Sequence, residues 1–308
     1  MGKKITKYLL ILLFVYLSAL ILTQSKRSAD LALEGLNLWF SRMIPALLPF
    51  MILSGILMGL GLSDGFAALF SPFLRPLFSL SDSCLYCIVI GFLCGFPMGA
   101  KVCAQSYEEH RISRREATLL LSFCNNIGPV YFVGYVLRLF PVSHPGAALF
   151  AMYGIPLLYG ICLRRTLFRD VTFASGQKQK ARPLPSLSVS SLLQKMNDSI
   201  QTSLDAITVL GGYMIFCNLL NLIPLHLLGE TSALLPWCGP LLEITSGISR
   251  LDWAHRMTAF LLLPFGGLSC IAQTYSCIRN TDLSLYEYLF HKVVQTMLTA
   301  AFYTLCRF

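Results

Sequence analysis

Residues Ala117 to Leu137 read ATLLLSFCNNIGPVYFVGYVL, and this stretch decides what kind of molecule the chain builds. It runs without a charge over about 20 residues, the length a membrane-crossing helix needs. Yet Asn125 and Asn126 stand near its middle, with Gly128 and Pro129 directly after. Exposed to lipid, each amide would cost several kcal/mol, so both must face protein or a wet cavity. Pro129 cannot donate a backbone hydrogen bond and Gly128 tolerates unusual dihedrals. The stretch therefore predicts a helix broken in mid-membrane. It leaves two uses for the amides: bonding to neighbouring helices, or display to a ligand.

The whole chain has the same character. Of 308 residues, 55% are hydrophobic and 13% charged, against about 25% charged in an ordinary soluble domain. That excludes a soluble, disordered or coiled-coil protein and predicts an all-α polytopic membrane protein. Other uncharged runs supply the spans: Tyr8–Ser25, Met43–Ser63, Ser83–Ala100, Leu139–Leu163, Ala206–Leu225 and Thr258–Ile278. With 117–137 this makes about seven spanning helices. The first run follows Lys3, Lys4 and Lys7, lacks a small-x-small cleavage site, and reads as an uncleaved signal-anchor over residues 1–25. Gly65–Leu80, Thr231–Leu242 and Val293–Cys306 are too short or too rich in Pro, and read as re-entrant or interfacial.

The net charge of +9 serves as a compass. Arg164, Arg165, Arg169, Lys178, Lys180, Arg182 and Lys195 crowd the polar stretch 164–205, which the positive-inside rule places on the cytoplasmic side of the cell membrane. Its centre, 175–191, reads as a flexible linker. Counting spans away from it puts the basic loop 101–116 on the cytoplasmic side, and the N-terminus is expected on that side as well. No basic stripe carries interleaved aromatics, so no nucleic acid is expected. The eleven cysteines are scattered through apolar runs and read as small hydrophobes. No metal site, no cofactor and no enzymatic motif is expected. Assembly with further copies of the chain is compatible with the sequence.

The two sides of the 164–205 linker carry parts in the same order, a first unit at 40–163 and a second at 206–308. Each has a long apolar helix, then a Pro-interrupted segment, then a small-residue break, then a helix broken in its middle. The breaks are Gly95-Phe96-Pro97-Met98-Gly99 and Cys124–Pro129 in the first, and Glu243-Ile244-Thr245-Ser246-Gly247 and Pro264–Ser269 in the second. By the charge count the two opening helices run in opposite directions, which predicts two inverted repeats with a substrate site at the matched breaks. The expected binding residues are Gly95, Pro97, Gly99, Lys101, Asn125, Asn126, Gly128 and Pro129 from the first unit. The second contributes Glu243, Ser246, Gly247, Gly266, Gly267, Ser269 and Gln273. Lys101 reads either as a snorkelling anchor or as a counter-ion for an anionic substrate. Glu243 could accept a proton or cation, or pair with Arg250 or Arg256; an intramembrane acid is a functional hypothesis by default.

At these motifs the chain resembles a known family. Met43–Phe50 (MIPALLPF), Gly91–Lys101 (GFLCGFPMGAK) and Leu121–Pro129 (LSFCNNIGP) are similar to the YlbJ-type sporulation integral membrane proteins, within the Gate or nucleoside-recognition membrane domain group. The resemblance implies a role in sporulation linked to the spore cortex and a transporter-like architecture. The function expected is binding or moving a small polar solute across the lipid bilayer. The alternative is a non-transporting scaffold that recruits sporulation partners through the linker.

Overall fold

The computed structural model of the protein describes residues 2–171 and 188–306, with side chains from residue 5 onward. All regular structure among them is helical. Five helical stretches are long and apolar enough to cross a membrane: Ile5–Thr23, Ser25–Gly59, Pro145–Arg165, Val189–Leu228 and Trp253–Ile278. The pair Ser71–Phe78 and Asp82–Cys94, bent by 107°, makes a sixth if taken as one span. This corrects the expectation of about seven. Five of the uncharged runs match these five stretches, while Ser83–Ala100 and Ala117–Leu137 do not form continuous spans. Helix Asp82–Cys94 stops at Gly95 and returns as Met98–Glu108. The 117–137 run is interrupted between Leu121 and Pro129. In both places Gly and Pro halt the helix, as their backbone chemistry requires.

Two boundaries also differ. The helix expected to open at Ala206 begins at Val189, where the Ser188 side chain accepts from the Ser191 amide and caps it. Most of the 175–191 linker lies outside the described residues. The Val293–Cys306 segment belongs to the 21-residue helix Leu285–Leu305, capped by Ser284. The cause of the misreading is Lys292, which ended the uncharged run although it sits inside the helix and is 1% exposed.

Burial separates lipid-facing helices from the core. Only 11% of the first span is buried, against 67% of Trp253–Ile278. Tyr8, Leu12, Phe14 and Leu22 are left exposed, the apolar surface a bilayer would cover. Helix Asp82–Cys94 has the opposite character. Every residue from Ser83 to Gly91 is buried, so it is wrapped by protein, as an all-round apolar helix must be.

Ion pairs mark the two ends of the bundle. At one end Arg111 meets Asp64 (2.9 Å), Arg114 meets Asp282 (2.9 Å) and Arg115 meets Asp170 (3.1 Å). Here the Arg115 guanidinium, hydrogen-bonded to Asp170, holds that carboxyl below the usual carboxylate range. At the other end Arg27 meets Glu230 (2.8 Å) and Arg250 meets Glu34 (2.7 Å). The first, basic end collects the segments that the positive charges assigned to one side. The helix pair Asp82–Cys94 and Met98–Glu108 is a hairpin that opens toward this basic end: Asp82 bonds Arg75 there (2.5 Å). A second hairpin, Leu235–Leu242 and Ile244–Ser249, opens toward the opposite end, where Arg250 follows it.

Candidate functional site

The first hairpin turns at Gly95, whose φ of +80° suits glycine. A Cβ there would stand 2.2 Å from the Gly128 nitrogen, so the turn is pressed against the break in the 117–137 run. Breaking two helices at one level orphans backbone groups that lipid cannot satisfy. The Phe96 amide donates to the Asn126 carbonyl (2.7 Å). The Ala100 amide donates to Asn125 Oδ1 (3.2 Å), and Asn125 Nδ2 donates to Thr274 Oγ1 (2.9 Å) and Tyr288 (3.3 Å). Asn126 Nδ2 donates to the Phe123 carbonyl (2.6 Å). Both asparagines are buried. They hold protein to protein, the first of the two uses their position allowed.

Asn126 has a further partner that sequence reasoning missed. Lys292 Nζ donates to Asn126 Oδ1 at 2.8 Å and lies 3.5 Å from Gln295 Oε1, with its charge 4.9 Å from the Phe96 ring centre. Gln295 in turn donates to the Ser122 carbonyl (2.5 Å). Among the described residues no carboxylate forms an ion pair with this ammonium. Amide dipoles and a ring face stabilise it instead. A lysine in an apolar helix was itself the available signal.

The second hairpin is built by the same close approach. A Cβ on Gly247 would stand 2.2 Å from the Pro240 nitrogen. Between the two arms Glu243, 1% exposed, caps Ile244–Ser249. Its Oε2 accepts from the Ser246 amide (2.7 Å) and meets the Ser246 hydroxyl (2.8 Å), while Ser269 donates to Oε1 (3.3 Å). Neither arginine pairs with it. Arg250 is engaged by Glu34, and Arg256 lies over the Trp253 ring (4.7 Å). The pairing alternative for Glu243 is thereby removed.

The breaks meet at one place. The Phe96 ring packs against Gly266, where a Cβ would come within 3.0 Å of it, so the two units touch through their interruptions. Beside this contact is a cavity of about 50 Å³ lined by Phe96, Gly128, Tyr131, Glu243, Thr245 and Gln273, among apolar neighbours. That is room for one or two water molecules. The Tyr131 hydroxyl is buried beside Thr245 and makes no hydrogen bond of ordinary geometry among the described residues. The Gln273 amide is likewise unengaged there, although the residue is 6% exposed. Unpaired buried polar groups are rare in proteins, and here one lies on a cavity that also holds Glu243 and Gln273.

A wider space adjoins this constriction. A cavity of about 270 Å³ shares Gln273 and Leu210 with it and is walled by Pro97, Lys101, Asp205 and Arg279. Lys101 also borders a space of about 230 Å³ with Lys195 and Asp198. Toward the opposite end lies a cavity of about 800 Å³ containing Glu34, Gly247, Arg250 and Asp252. Of the residues singled out from sequence, Gly128, Glu243 and Gln273 line the constriction, and Pro97 and Lys101 line its neighbour. Gly95, Gly99, Gly247, Gly266 and Gly267 set the close packing behind it. Asn125, Asn126, Ser246 and Ser269 brace that packing through hydrogen bonds, and Pro129 begins the helix after the break. Phe96, Tyr131 and Thr245 were not foreseen, because aromatic and small polar residues near a break carry no sequence signal of their own.

A family profile described as Gate, nucleoside recognition, matches residues 40–140. The chain is 26% identical to the sporulation integral membrane protein YlbJ of Bacillus subtilis (strain 168), over 97% of this chain and 82% of that protein. The resemblance read from the 43–137 motifs is thus borne out. No solved structure matches the chain.

Proposed function

We propose that this protein is a transporter-like integral membrane protein of sporulation that binds and moves a small polar solute at the junction of its four chain breaks. One observation carries the reading: where the breaks meet lies a small cavity lined by Glu243, Gln273 and Tyr131, adjoining a wider one walled by Pro97 and Lys101. Interrupted helices meeting in mid-bundle are how membrane transporters expose polar groups to a solute. Two hairpins that open toward opposite ends of the bundle support an inverted arrangement of the units. The constriction is too small for a solute as large as a nucleoside, so passage requires the hairpins to move against the broken helices, giving alternate access. The similarity to a sporulation protein over nearly the whole chain supports the cellular role, and a contribution to the spore cortex is the finer expectation within it.

The test is uptake by the purified protein in liposomes, screened over nucleosides, amino acids and cell-wall precursors, beside a sporulation assay. Glu243→Ala and Gln273→Ala are expected to reach the membrane at normal levels and to lose sporulation function. Wild-type sporulation in both variants would sink the proposal.

A further inference from the structure

The surroundings of Glu243 contain a counting problem. The Ser246 hydroxyl oxygen lies 2.8 Å from Glu243 Oε2 and 2.9 Å from Asn218 Oδ1. The Asn218 amide cannot be reversed. Its Nδ2 donates to the Leu31 carbonyl at 2.6 Å, and its Oδ1 accepts from the Arg250 guanidinium. The Ser246 hydroxyl is therefore held between two oxygens, and a hydroxyl has one hydrogen to give. If Glu243 is ionised, one of the two short contacts has no hydrogen in it. If Glu243 carries a proton, the acid donates to Ser246 Oγ, Ser246 donates to Asn218 Oδ1, and both contacts are hydrogen bonds.

The rest of the shell agrees. The Ser246 amide and the Ser269 hydroxyl donate to the carboxyl group, which serves either form. Among the described residues no Lys, Arg or His forms an ion pair with it. The titratable groups facing it from the packed elements are Tyr131, Cys217 and Cys270, with Cys270 also within electrostatic reach of Lys292; the Arg250 guanidinium, paired with Glu34, stands beyond Asn218 Oδ1. An isolated buried carboxylate is costly, and neutralisation relieves that cost. On its other flank the group borders the small cavity, where water can deliver and remove a proton.

We infer that Glu243 is a proton-binding site, and that Ser246 and Asn218 pass its occupancy to the Arg250–Glu34 pair in the large cavity toward the opposite end. With the proton bound, Ser246 donates to Asn218 Oδ1 alongside Arg250, and the Arg250–Glu34 contact between helix Ser25–Leu38 and the second hairpin is braced. With the proton gone, the Ser246 hydroxyl turns to the carboxylate and that brace is lost. The protonation site stands on this geometry alone. Its use as the coupling site of solute movement rests on the transport reading above.

The decisive measurement is infrared difference spectroscopy of the full-length protein in lipid as pH is stepped, which needs no solute. The wild type is expected to show the carbonyl stretch of a protonated carboxylic acid that Glu243→Gln abolishes. Asn218→Ala frees the Ser246 hydroxyl to serve the carboxylate, and should weaken the Glu243-dependent acid band severalfold, the effect of one ordinary hydrogen bond. Should Asn218→Ala fail to fold, Ser246→Ala removes the acceptor of the acid proton and should move the band to higher wavenumber. Absence of any acid band that depends on Glu243 overturns the inference, and so does a band that Ser246→Ala leaves unmoved. A protein that transports none of the screened solutes but shows the band would fail the transport reading while keeping the proton site.

Discussion

The two crossings of broken helix differ in how completely their polar groups are used. Around Asn125 and Asn126, breaks in the first unit are tied to helices Gly267–Ile278 and Leu285–Leu305 by bonds to Thr274, Tyr288 and Lys292. Around Glu243, where the second unit meets Tyr131 of the first, the Tyr131 hydroxyl and the Gln273 amide border a cavity without an ordinary hydrogen bond to any described residue. Chemically similar interruptions thus do different work. Saturated, a break becomes a rigid joint, because every orphaned group has found protein. Left partly open, it becomes a place for a ligand, because the missing partner can come from outside. Stability should depend on the first, function on the second.

The largest effect expected is from Asn126→Ala, which strips the buried Lys292 ammonium of its 2.8 Å acceptor. A buried ammonium that loses its main hydrogen-bond acceptor costs about 3 kcal/mol, readable as a lowered midpoint of thermal unfolding in detergent. Lys292→Met should cost less, about 1–3 kcal/mol, since it leaves only neutral acceptors unpaired. If the methionine variant proves the weaker of the two, Lys292 is held by something other than Asn126. Gly247→Ala comes next, at about 1–3 kcal/mol, because its methyl group would overlap the Pro240 backbone.

Gln273→Ala marks the other side of the contrast. Its amide supports no bond among the described residues, so stability should change by under about 1 kcal/mol while sporulation function is lost. A melting-point drop as large as that of Asn126→Ala would erase the distinction between joint and open site. Smallest of all is Asp170→Asn at the exposed basic end. Arg115 lowers the Asp170 carboxyl, so any stabilisation is present above the ordinary carboxylate range and fades as pH falls through the lowered value. For so exposed a pair the melting point at neutral pH should not measurably change.

Much of this arrangement was legible in residues. Gly95, Pro97, Gly128 and Gly247 announced breaks because no other residue types permit such backbone turns or approaches. Glu243 stood out as the acid interrupting an apolar run. Lys292 was lost for the opposite reason: a ruler that stops at every charge treats a buried lysine as the end of a helix, and only packing shows that amide oxygens and the Phe96 ring make the interior tolerable for it. Asn218 was passed over similarly, as one polar residue in a long apolar helix. Its role depends on Ser246 and Arg250, which approach it from elements distant in sequence.

By itself the sequence determined that the chain is a membrane protein, where its helices break, and which end collects the positive charge. These follow from local properties: the apolar length of a run, the dihedral limits of Gly and Pro, and the hydration of Lys and Arg. Tertiary structure alone decided which polar groups are paired and which are left facing a cavity. Pairing depends on distances of about 3 Å between residues more than 100 positions apart, such as Asn126 and Lys292, and no local pattern encodes them.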